Sequence, residues 1–290
     1  MAKRRLVSDT ERIALEAGTV GFEGSLLNGK PDWKALSAIP DGFLTEEEQE
    51  FLDGPVEELC ALIDEWKIFQ SDEQDMPPEA WDFAKKNGFL GLVIPKEYGG
   101  KGFSALAHSA VVHKLSSRSF VAGVNVMVPN SLGPGELIHR YGTQEQKDKY
   151  LPRLASGEDI PCFGLTEPEA GSDATGMKTK GIVMMGDNGE PFIHIENLEK
   201  RYITLAPIAT LLGIAFQLED PDNILGKGTK PGITLALVPR DTEGLQVGNR
   251  LRPMDLPFNN GTIRGDIQIP VSAVIGEENG VGQGRRMLME

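Results

Sequence analysis

The sequence predicts an α+β chain: a helical half ends near residue 158 and a sheet-rich half follows. Two observations carry this reading. Up to Gly157, polar caps open runs whose apolar residues return every three or four positions. From Ile160 onward, short β-branched and aromatic runs alternate with Gly, Asn and Asp turns. A chain of 290 residues has room for roughly two ordinary domains and a sizeable core.

Residues 1–44 are interrupted by Gly29-Lys-Pro-Asp32 and Ile39-Pro-Asp-Gly42, and read as an extension with one short helix near residues 9–17. Thr45, with Glu48 three positions on, is a capping box that opens a helix to about Phe69. Phe51, Leu52, Val56, Leu59, Ile63 and Trp66 recur at helical spacing and predict its buried face. Pro77 and Pro78 start a second helix that Asn87 and Gly88 end. After a loop over 95–102, residues 104–115 and 134–139 read as helices. Thr143 with Gln146 forms another capping box, carrying a helix to Tyr150.

Residues 182–185 and 192–195 flank Gly186-Asp-Asn-Gly189, a hairpin signal. Strand-like runs continue at 202–205, 210–218, 233–238, 245–247 and 267–269. Together they predict an antiparallel sheet or barrel of about seven or eight strands. A further helix begins at Gln283. The resulting division is 45–158 helical, 159–277 β, and 278–290 the start of another helical unit.

Composition narrows the function. A formal charge of −14 speaks against nucleic acid, whose phosphates call for a basic face, although a local basic patch could still hold a smaller anion. Cys60 and Cys162 stand far apart, so neither a disulfide framework nor a zinc site is indicated. His108, His113, His139 and His194 lack metal-ligand spacing and read as surface or core residues. No metal is expected. The start lacks the apolar stretch of a signal peptide, and no run reaches the roughly 18 apolar residues of a membrane helix. The expected location is the cytoplasm.

The chemistry concentrates in Ile160-Pro-Cys-Phe-Gly-Leu-Thr-Glu-Pro-Glu-Ala-Gly-Ser-Asp173. This run reads as a strand that stops in a turn-rich loop. Such a junction offers backbone N–H groups and the hydroxyls of Thr166 and Ser172 to something polar or anionic. Downstream, Tyr202 precedes another hydroxyl, Thr204, by two residues. A flat ring system with a diphosphate tail would use both kinds of group. Many strand–turn junctions serve only packing, and that reading stands beside it.

Thr166-Glu-Pro-Glu-Ala-Gly-Ser-Asp173 resembles the Thr-Glu-Pro-x-Ala-Gly-Ser-Asp motif of the acyl-CoA dehydrogenases. Tyr202-Ile-Thr204 is similar to the aromatic-Ile-Thr/Ser strand that this family lays against FAD. Gly88-Phe-Leu-Gly91, Pro95-Lys-Glu-Tyr-Gly-Gly100, Tyr141-Gly-Thr-Gln-Glu-Gln-Lys147 and Ile267-Gln-Ile-Pro-Val-Ser-Ala-Val-Ile-Gly276 extend the likeness over residues 79–290. Pro129-Asn-Ser-Leu-Gly-Pro-Gly-Glu136 and the context of Arg201 resemble the long bacterial branch acting on fatty acyl-CoAs in β-oxidation.

The resemblance implies FAD as cofactor. Phe163, Leu165 and Thr166 would face the isoalloxazine, while Gly171 and Ser172 would approach the pyrophosphate. Ser172 would also lie near the CoA portion of the substrate. Tyr202 would pack on the ring, with Ile203 beside it and Thr204 near N5. Glu167 reads as a turn-stabilising or surface carboxylate rather than a base. Arg250, Arg252 and Arg264 are candidates for acyl-CoA phosphates, with solvated surface arginines an equal alternative.

The implied reaction is α,β-dehydrogenation of a medium- or long-chain fatty acyl-CoA to the trans-2-enoyl-CoA. A carboxylate takes the Cα proton as hydride leaves Cβ for the flavin, with electrons passing to an electron-transfer flavoprotein. The family's catalytic glutamate belongs to a C-terminal helical domain missing from these residues, so no base is assigned. Full-length relatives are expected to be homo-oligomers, some peripheral to the inner membrane. Two rivals remain: a same-fold acyl-CoA oxidase, and a non-catalytic flavin- or partner-binding module.

Overall fold

The computed structural model describes residues 21–40, 42–131 and 133–289. The expected helix near residues 9–17 lies outside them. Helices α1 (Phe22–Leu27) and α2 (Trp33–Ser37) occupy the extension.

The helix expected from Thr45 to Phe69 is three short ones: α3 (Glu46–Asp53), α4 (Pro55–Leu62) and α5 (Glu65–Gln70). Gly54 precedes Pro55, which cannot donate into α3 but starts α4 well. Ile63 then turns extended and Asp64 caps α5, accepting from the backbone of Trp66 and Lys67. Helical periodicity survives this breakage as far as Ile63. Phe51, Val56, Leu59 and Ile63 are buried, whereas Trp66, expected on the same face, is 71% exposed. The Thr45 capping box forms, and its Glu48 also accepts from the Ser104 backbone at 2.7 Å, tying two helix starts together.

Helix α6 spans Pro78–Lys86, α7 Ala105–Arg118, α8 Phe120–Met127, α9 Gly135–Tyr141 and α10 Gln144–Ser156. All six residues from Val121 to Val126 of α8 are buried, including the polar Asn125, whose amide donates to Asp75 at 2.8 Å. No described helix is long and apolar enough to cross a membrane.

The second half is a curled seven-stranded sheet. Its strands are β1 (Pro161–Gly164), β2 (Lys180–Met185), β3 (Pro191–Thr204), β4 (Leu211–Glu219), β5 (Gly232–Pro239), β6 (Leu245–Arg250) and β7 (Asn260–Pro270). The order is β1-β4-β2-β3-β7-β6, with β5 on the other edge of β4. The antiparallel expectation holds for β2/β3, β3/β7, β4/β5 and β6/β7. It fails on one edge of β4. There β1 lies parallel to Leu211–Ile214 and β2 parallel to Gln217–Glu219. The chain from Leu165 to Thr179 is therefore an excursion between two strands that share one edge.

Strand β4 explains why the sheet reads as an apolar run rather than an alternation. Leu212, Ile214, Phe216 and Leu218 join a core that also holds Leu90, Val124 and Val128 of the helical half. Leu211 and Ala215 face the opposite core, with Leu151 and Leu154 of α10. A final helix, α11 (Gly284–Met289), begins one residue after the Gln283 expected from the sequence and packs Met287 into the second core.

Candidate functional site

Three distant segments converge where β1 ends. Phe163 belongs to β1, whose parallel partner carries Gly213 beneath the ring. A Cβ there would stand 2.6 Å from Phe163, so only glycine leaves the ring its place. Leu165 and Thr166 follow directly. From the sheet's centre, β3 delivers Tyr202, Ile203 and Thr204. The β3/β7 ladder slips between Lys200 and Ile203, and Tyr202 in that slip takes φ +60°. A non-glycine residue held there costs about 1–3 kcal/mol, strain that tends to gather at binding sites.

These six residues line one cavity of about 420 Å³, within the usual range for a small-molecule site. Helical neighbours close it: Val128, Ser131, Glu136, Leu137, Arg140 and, from α11, Met287 and Leu288. The wall is mainly apolar. The Thr166 and Thr204 hydroxyls make no hydrogen bond to the protein among the described residues, so both are available to a ligand. Tyr202 is 47% exposed, and the Arg201 guanidinium lies 4.7 Å from its ring centroid. Of the residues singled out from the sequence, Gly171 and Ser172 do not line this cavity. They sit exposed farther along the excursion, and a Cβ on Gly171 would meet nothing within 4 Å.

Glu167 is buried, which corrects the surface alternative. It accepts from the backbone N–H groups of Lys178 at 2.5 Å and Thr179 at 3.1 Å, and pairs at 2.7 Å with Lys200, itself fully buried. Burial alone would raise the Glu167 carboxyl, but the bonds from Lys200, Thr179 and Lys178 hold it below the usual carboxylate range. Burial also pushes the Lys200 ammonium below its ordinary range, against the pull of Glu167. Lys200 also donates to the Leu165 carbonyl at 3.3 Å, and the Arg201 N–H to that of Thr166 at 2.9 Å. The segment facing the cavity is thus fastened from behind. The sequence did carry one sign of this: beyond the Asn197 bulge, Lys200 shares the inward parity of Leu198 on β3.

Arg250, Arg252 and Arg264 line no part of the cavity. Arg264 pairs with Glu199 at 2.8 Å, and the cation that reaches the cavity is Arg140. Glu136, a carboxylate in the wall, is paired with Arg140 at 2.8 Å. No group of His, Cys, Asp and Glu is placed to hold a metal ion among the described residues.

A helical unit, a curled sheet and an apolar cavity at their junction define a two-domain ligand-binding architecture. Its family follows from the sequence matches. The model for acyl-CoA dehydrogenase, N-terminal domain, matches residues 45–158, and that for acyl-CoA dehydrogenase, middle domain, matches 162–263. The chain belongs to the acyl-CoA dehydrogenase family. It is 33% identical over 195 residues to an acyl-CoA dehydrogenase of Bacillus subtilis (strain 168), covering 67% of this chain and 48% of that protein. It is 35% identical over 207 residues to the caffeyl-CoA reductase-Etf complex subunit CarC of Acetobacterium woodii, covering 71% and 51%. Among solved structures, the FAD complex of PigA superposes with a TM-score of 0.68 at 26% identity, covering 86% of this chain and 62% of that one. The chain spans about half the length of the curated relatives it matches.

Proposed function

We propose that this chain contributes the flavin- and substrate-holding part of an FAD-dependent enzyme that introduces an α,β double bond into an acyl-CoA thioester. The observation that carries it is the gathering of Phe163, Leu165, Thr166, Tyr202, Ile203 and Thr204 on one cavity, with two threonine hydroxyls unclaimed by protein. FAD, when bound, supplies the two-electron acceptor. The apolar wall suits a flat aromatic ring system, and the hydroxyls suit its polar edge. Tyr202 offers a ring face for stacking. Val128, Leu137 and Leu165 exclude water from the space beside it. Gly171 and Ser172, exposed on the excursion, are assigned to the cofactor's phosphates, and Ser172 also to the CoA portion.

We assign the proton-abstracting base to none of the cavity residues, because Glu136 is held by Arg140. The substrate is a medium- or long-chain fatty acyl-CoA, and an electron-transfer flavoprotein takes the electrons. The same cavity also serves the reverse reaction, reduction of an enoyl-CoA. That second reading is favoured by the 35% identity to a caffeyl-CoA reductase subunit.

Dialysis of the purified chain against FAD, followed by absorption spectroscopy, tests the proposal. Bound flavin is expected in the parent and held more weakly in Thr166→Val and Tyr202→Ala. Octanoyl- and palmitoyl-CoA should then perturb the flavin band more than butyryl-CoA. A chain that retains no flavin, or whose flavin ignores every thioester, overturns the reading.

A further inference from the structure

A second cavity, of about 580 Å³, lies in the helical half, apart from the first. The end of α6, the loop before α7, the last turn of α10 and the α3–α4 junction form its walls. Three lysines line it: Lys85, Lys86 and Lys101. No carboxylate does, in a chain where 43 acidic residues outnumber 29 basic ones. Lys67, Lys96, Lys114, Lys180 and Lys200 each meet an acidic partner, but none of these three forms an ion pair among the described residues.

The cluster is built rather than merely exposed. The Lys101 ammonium sits 4.7 Å from the centroid of Phe51 and 5.9 Å from that of Phe103, so two rings hold its stem. Its tip is half-buried, and burial lowers the affinity of that amine for its proton. A Cβ on Gly88 would meet Lys101, and one on Gly157 would meet the Lys85 stem. Both lysines are therefore packed against backbone. Lys85 and Lys86 also complement the C-terminal end of α6, which explains two cations but not the third. Backbone N–H groups of Asn87, Gly88, Gly99, Gly100 and Lys101 are all spent on carbonyls, leaving ammonium groups as the donors. Phe51 and Pro55 supply an apolar side.

We propose that this cavity binds a phosphate-bearing anion at a site separate from the flavin cavity. Three ammonium groups without an ion pair, in a lining that holds no carboxylate, recognise multiple negative charge although Glu47 lies near enough to act on Lys101, and the apolar side accommodates a base or other flat appendage. A free polyphosphate and a nucleotide share that chemistry.

Calorimetric titration with pyrophosphate and with ADP, on the chain preloaded with FAD, tests it. Both anions should bind, more weakly as salt rises. The triple variant K85Q/K86Q/K101Q should lose at least tenfold in affinity, and K101R should keep it. An ADP dissociation constant at least tenfold below that of pyrophosphate assigns the site to a nucleotide; equal constants assign it to free polyphosphate. Undiminished binding in a folded triple variant overturns the proposal, as does binding insensitive to salt. Where the triple variant melts early, the exposed K86Q alone should weaken binding about threefold, and no change there also overturns it.

Discussion

The two ends of the Thr166–Asp173 run are built in opposite ways. At the first, Thr166 is fixed by the Arg201 N–H and Glu167 by a fully buried lysine and two backbone donors. At the second, Gly171 and Ser172 are exposed, and Gly171 has open space where a side chain would go. One end is rigid before any ligand arrives; the other has little protein to hold it. A ring needs a pre-shaped wall, because misplacing it loses stacking and hydrogen bonds together. A charged tail needs only reachable donors.

Breaking the rigid end should have the largest effect. Lys200→Ala leaves Glu167 buried without its cation, a change that costs about 3–5 kcal/mol in comparable sites. Chemical denaturation should show it directly. Replacing the pair together, as Glu167→Gln with Lys200→Met, should recover most of that loss. A double variant as unstable as the single one would mean that the lysine matters through packing instead.

Acid should unfasten the same end. Glu167 in the folded chain lies below the ordinary glutamate value, held there against burial by its bonds from Lys200, Thr179 and Lys178. Its contribution is therefore complete above that value and disappears as pH falls through the lowered folded value. Unfolding free energies followed from pH 7 to 3 should fall more steeply for the parent than for the double variant. Parallel curves would remove Glu167 from the account.

Smaller effects sharpen the contrast. Tyr202→Ala should weaken flavin binding about tenfold, or about 1.4 kcal/mol, with a smaller change in melting temperature because the ring is half-exposed. At the open end, Gly171→Ala should shift stability by less than about 0.5 kcal/mol while lowering flavin affinity. If flavin affinity also stays put, Gly171 does not approach the cofactor.

The contrast also explains what the sequence disclosed. The switch near residue 160 was legible because helix caps and hairpin turns are local chemistry, carried by Thr45, Thr143 and Gly186–Gly189. The break at Gly54–Pro55 passed unnoticed because three short helices satisfy the same apolar spacing as one long one, as far as Ile63. The strand side of the cavity was visible as a motif. Arg140, Leu137 and Met287 were not, since they reach the cavity only through packing between segments more than twenty residues apart. Lys200 was hidden for another reason: a lysine usually marks solvent, and only its place on the buried parity of β3 says otherwise.

The shared edge of β4 has one more consequence. Strands β1 and β2 leave and rejoin that edge at Ile214 and Gln217, and the Glu167 carboxylate closes the base of the excursion on Lys178 and Thr179. Residues 168–177 thus hang from a clasp and are pinned beyond it by the buried Ala170 and Met177 and by the Gln217 amide on the Thr175 carbonyl. Doubling such a loop adds only about 0.6 kcal/mol of closure entropy. Chain entropy is thus a minor constraint on the length of that segment, and the buried Ala170 and Met177 are what fix its path against the sheet.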